Sequence, residues 1–107
     1  MADKFCKLEV FVPEEYAEKV KTALGNAGAG RLGNYDFCFW QSDGTGQFRP
    51  LAGSDPFIGK TNEIERVREV KIETLFPENI KSEIIAAIRA SHPYETPAYY
   101  IMELIME

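Results

Sequence analysis

The chain has 107 residues, 45% of them hydrophobic, and 17 acidic side chains against 12 basic ones leave a net charge of -5. That length fits one packed domain, residues 1–107, whose apolar fraction is enough for a core without cross-links, and the acidic balance argues against nucleic-acid binding, which needs clustered Lys and Arg. No apolar run could span a bilayer, and Asp3 with no apolar stretch behind it is not a signal peptide, so a cytoplasmic protein without membrane contact is expected.

Phe5 to Val12 alternates Cys6, Leu8, Val10 and Val12 against Lys7 and Glu9, the pattern of a strand with one face in a core. Pro13 then suits a first helical turn, and Glu14 and Glu15 put negative charge where the helix dipole favours it. Ala17, Val20, Leu24 and Ala27 form the apolar face of a helix that ends near Gly25 to Gly28. Gly28, Gly30 and Gly33 spell a dinucleotide-type glycine pattern, but they close a helix, whereas phosphate binding needs glycines that open one. The pattern reads as a helix exit and turn, and no cofactor is expected.

Tyr35 to Gln41 reads as a second strand dense in aromatic residues. Ser42 to Gly46 reads as a turn and Gln47 to Pro50 as a short returning strand, together an extra hairpin. Leu51 to Thr61 is a loop; Gly59-Lys60-Thr61 resembles the end of a phosphate loop but has Ser54 where a glycine is required. Val67 to Leu75 alternates again as the third principal strand. Helix two runs from Pro77 to Ala90 with Ile80, Ile84, Ile85 and Ile88 at helical spacing, and Ala98 to Met106 closes the chain as a strand with Tyr100, Met102, Leu104 and Met106 facing the core. Phe11-Val12-Pro13-Glu14 reappears as Leu75-Phe76-Pro77-Glu78, each time before an amphipathic helix, so the chain contains a weak internal repeat. Two strand-helix-strand halves predict an α+β, ferredoxin-like β-α-β-β-α-β sandwich with the extra hairpin between the second and third main strands. Helices on one face leave the other bare; Phe5, Phe11, Tyr99 and Ile101 are expected there, and self-association through that face follows. Cys6 and Cys38 are read as buried thiols.

Ser91 to Ile101 joins helix two to the last strand and concentrates rare chemistry, including the one histidine. Pro93 and Pro97 disfavour helical geometry at His92 and Thr96, so this corner is stiff and stops the helix by Ser91. Two roles compete for it. His92 could act as an acid or base oriented by Glu95, with Tyr94 or Tyr99 as donor, because histidine titrates near neutrality. Alternatively His92 caps the helix end and Tyr94 packs beneath the corner.

Pro13-Glu14-Glu15, Gly28-Ala29-Gly30, Gly33-Asn34-Tyr35, Gly44 to Pro50, Ile58-Gly59, Val70 to Thr74 and His92-Pro93-Tyr94-Glu95 together resemble the domain inserted into bacterial members of the Nif-three-like family of dimetal-binding proteins. The resemblance covers nearly the whole chain. It implies a fold akin to the PII signalling proteins and CutA, and hence a homo-oligomer, with a trimer favoured. In full-length relatives the metal ligands lie in a flanking domain that this chain lacks, so no metal-binding residue carries over, and the chain looks like a freestanding copy of the insert. The loop that PII proteins use for recognition falls at the Gly44 to Pro50 hairpin, where Thr45, Gln47 and Arg49 could contact an anionic ligand or a partner.

The candidate binding set is therefore Thr45, Gln47, Arg49, His92, Tyr94 and Glu95, with no catalytic residue assigned. The expected function is a small self-associating binding or regulatory module without catalysis of its own, its small-molecule or protein partner unspecified. The alternative is a metal-dependent, hydrolase-like enzyme with a site at a subunit interface.

Overall fold

A computed structural model describes residues 4–106. Four strands, β1 (Phe5–Pro13), β2 (Trp40–Phe48), β3 (Glu65–Pro77) and β4 (Tyr99–Leu104), form one antiparallel sheet in the order β2-β3-β1-β4. Helices α1 (Ala17–Ala27) and α2 (Lys81–Ser91) each follow a single turn of tighter helix, Glu14–Tyr16 and Glu78–Ile80. Those turns begin after Pro13 and Pro77, which pair with Glu69 and Phe5 at opposite ends of the β1–β3 ladder. The internal repeat is thus a structural one, and the ferredoxin-like arrangement expected from it is present.

The core follows from alternation on β1 and β3. Cys6, Leu8, Val10 and Val12 meet Val70, Ile72 and Phe76 beneath Val20 and Leu24 of α1 and Ile84 and Ile88 of α2. Side chains buried to this degree contribute about 1.5–3 kcal/mol each. Among the described residues no helix is long and apolar enough to cross a membrane. The helix α2 stops at Ser91 because Pro93 holds His92 in extended geometry, with φ -82° and ψ 134°.

Three expectations need correction. Ser42 to Gly46 is not a turn, and there is no extra hairpin: the segment lies inside β2, with Asp43, Gly44, Thr45 and Gly46 paired to Val70, Glu69, Arg68 and Val67. Its glycines serve close approach, since a Cβ on Gly46 would overlap the carboxylate of Glu69. Tyr35 to Phe39 is loop rather than strand, with Phe37 at φ 51° and its ring against Gly25. Finally, β4 is turned over. Tyr99 and Ile101 pack on the core, whereas Tyr100 is 56% exposed on the bare face. Register explains this: Tyr99 and Ile101 stand opposite Val10 and Leu8, and Tyr100 and Met102 opposite Glu9 and Lys7.

The bare face is mixed in character. Lys7 bridges Glu73 at 2.7 Å and Glu9 at 3.1 Å in its middle. Around these charges stand Phe5, Phe11, Tyr100, Met102 and Trp40, with Phe11 and Tyr100 edge to face at 5.7 Å.

Candidate functional site

One end of the sheet, where β1 and β2 finish and β3 and β4 begin, carries the corner. The strand β4 pairs with β1 only as far as Val10, so the last residues of β1 need other partners. The corner supplies them: the Phe11 N–H donates to the Ala98 carbonyl at 3.1 Å, and the His92 Nε2–H donates to the Phe11 carbonyl at 2.7 Å. The second ring nitrogen, Nδ1, accepts the Tyr94 main-chain N–H at 3.1 Å. Both nitrogens are thus engaged by main chain, which fixes the neutral Nε2–H tautomer, and burial holds the His92 pKa below its ordinary value against the opposing effects of the Phe11 carbonyl and Glu69.

Fixed in this way, Tyr94 extends to β3 and its hydroxyl donates to Glu69 Oε2 at 2.8 Å. Glu69 is only 8% exposed. Burial, the hydrogen bond to Glu69 and the negative charges of Glu69 and Glu15 hold the Tyr94 phenol well above the ordinary tyrosine range, so it stays a donor. The Tyr94 ring also packs on His92, Phe48 and Phe57, with centroids 5.0, 5.8 and 6.4 Å away. Phe57 in turn meets Tyr16 edge to face at 5.7 Å. Glu95 ties the Phe57 loop to the corner by accepting the Asp55 N–H at 3.1 Å.

Between these segments lies a cavity of about 280 Å³, walled by Phe48, Phe57 and Tyr94 and bordered by Gln47, Glu69 and Glu95. Three candidate residues, Gln47, Tyr94 and Glu95, therefore converge. His92 sits behind Tyr94 and lines none of the cavity, while Thr45 and Arg49 are exposed and outside it. Thr45 borders a shallow groove with Arg68 along the β2–β3 arm. Glu69, which sequence reasoning missed, stands among the alternating charges Glu69, Lys71 and Glu73, and only its approach to Gly46 and Tyr94 in the fold singles it out. The thiol of Cys6 is buried and shifted upward by that burial, whereas Cys38 is half-buried on a loop.

The fold is the α+β arrangement shared by the PII and CutA proteins. CutA1 of Ehrlichia chaffeensis superposes with a TM-score of 0.69 at 18% identity, over 100% of this chain and 87% of that one. Bacillus subtilis GlnK does so at 0.64 and 16%, over 97% and 84%. The particular relationship is closer. A Bacillus cereus protein related to NIF3 matches with a TM-score of 0.85 and 43% identity over 97% of this chain, and the GTP cyclohydrolase 1 type 2 homolog of Bacillus subtilis is 52% identical over 92% of it. Each match covers only 26% of the longer protein, so the chain spans about a quarter of these relatives and is homologous to the PII-like segment of NIF3-related proteins. No family model matches the chain.

Proposed function

We propose that the domain is a small, cytoplasmic, self-associating binding module whose ligand seat is the aromatic cavity over Glu69. The observation that carries this reading is Glu69 itself, a residue more than nine-tenths buried whose carboxylate borders a preformed cavity and has Tyr94 as its one hydrogen-bond donor among the described residues. Burying a carboxylate is costly unless it is paired and hydrogen-bonded, and here Gly46 leaves room for it by having no side chain. In this reading Gln47, Tyr94 and Glu95 contact the ligand, and His92 positions Tyr94. Thr45 and Arg49, exposed on and just past the arm, serve a partner. The bare sheet face is covered by identical copies, as the apolar rim of Tyr100, Met102 and Trp40 supports, and the two free thiols fit a reducing compartment.

The names of relatives mention GTP, and the GlnK structure is a complex with ATP. A triphosphate does not suit this cavity, where Glu69 and Glu95 would repel it. Saturation-transfer NMR with single-ring fragments tests the seat. Binders are expected, and Gly46→Val, whose side chain would overlap the Glu69 carboxylate and force it from its place at the cavity edge, is expected to weaken them while remaining folded by circular dichroism. Fragments that bind the folded variant as well as the wild type would contradict the assignment.

A further inference from the structure

We infer that the cavity selects a small aromatic or aliphatic amine in its cationic form, an inference that rests on reading the cavity as a ligand seat. Charge is the first ground. Of the cations flanking Glu69 on β3, Arg68 pairs with Glu14 at 3.1 Å and Lys71 lies 3.9 Å from Glu73, and no cationic side chain lies within bridging distance of Glu69 among the described residues. The carboxylate has one hydrogen bond, from Tyr94 to Oε2, and Oε1 takes none from the described residues. An ammonium group, with three donors and a full charge, supplies the missing counter-charge and donates to the carboxylate.

The walls are the second ground. Phe48, Phe57 and Tyr94 offer aromatic surface beside the carboxylate, an arrangement that attracts cations through the ring quadrupole and holds an apolar body by burial. Glu95, beside them, adds a second negative charge. Size is the third. A cavity of about 280 Å³ lies just below the roughly 300–1,000 Å³ of drug-sized sites, so one ring with a short aminoalkyl tail fits and a nucleotide does not.

Isothermal titration calorimetry with 2-phenylethylamine, 2-phenylethanol and phenylacetate provides the test. The amine is expected to bind about tenfold tighter than the alcohol, with the acid weakest, since an ammonium adds full opposite charge to the hydrogen bond and a second carboxylate is repelled. Glu69→Gln is expected to erase the preference for the amine over the alcohol. If the alcohol equals the amine on the wild-type protein, cation selection is overturned while the seat stands. If none of the three binds at millimolar concentration, the seat falls with it. Should Glu69→Gln fail to fold, the wild-type ratio and its reduction in Glu95→Gln decide; a ratio near one overturns the inference.

Discussion

Replacing His92 with alanine is expected to lower the stability of the domain by about 2–4 kcal/mol and its melting temperature by on the order of 10 °C. The ring is 7% exposed and bonded to main chain at both nitrogens. Removal leaves the Phe11 carbonyl and the Tyr94 N–H without partners beside a new void, and an unsatisfied buried group costs about 1–3 kcal/mol. A pH dependence accompanies the loss. The folded state keeps His92 neutral, whereas the unfolded chain takes up a proton at the ordinary value of 6.5. The contribution is therefore fully present above about pH 6.5 and is lost as pH falls toward the lower folded value. Melting curves between pH 7.5 and 5.5 are expected to show the wild type losing stability with acid and the gap to His92→Ala narrowing. A variant that melts like the wild type across that range would show that the ring does not pin the corner.

Gly30→Ala is expected to cost about 2–4 kcal/mol in urea unfolding, far more than Gly44→Ala. Gly30 has φ +81°, where a side chain costs about 1–2 kcal/mol, and its added Cβ would stand 2.8 Å from the Cys38 main-chain nitrogen. The residue cannot move away. Its N–H donates to the Leu75 carbonyl at 2.8 Å, its carbonyl accepts from Cys38 at 2.9 Å, and the Thr74 hydroxyl closes the stitch on the Cys38 carbonyl at 2.8 Å. Gly44 has open space around it, so alanine there is expected to be nearly neutral. Equal midpoints for the two variants would contradict this account of the glycine pattern. That pattern shapes the helix exit: Gly28 caps α1 at φ 111° and Gly30 fastens the loop to β3.

The helices, β1, β3 and the stop at Ser91 were legible because each combines strong periodicity with a proline at a defined place. The second strand was not. Ser42 to Gly46 has the composition of a turn, and its extended state is imposed by β3, whose pairing no local signal encodes. The last strand is apolar on both faces, so alternation could not say which side is buried; the Phe11–Ala98 hydrogen bond and the opposition of Tyr99 to Val10 decide it. At the site, the corner drew notice through rare residues, and two of its three candidates, Tyr94 and Glu95, border the cavity together with Gln47 of β2. Glu69 escaped because its meaning depends on Gly46 and Tyr94, distant in sequence and joined only by folding.

The claim that ties these features together is that one side of the sheet holds the core while the other is reserved for identical copies. Light scattering coupled to size exclusion measures it most directly. The wild-type protein is predicted to have a mass of two or more chains, three being favoured, and Tyr100→Lys combined with Met102→Lys to bring it down to one chain without loss of helical signal. A wild-type protein of single-chain mass at high concentration would contradict the account.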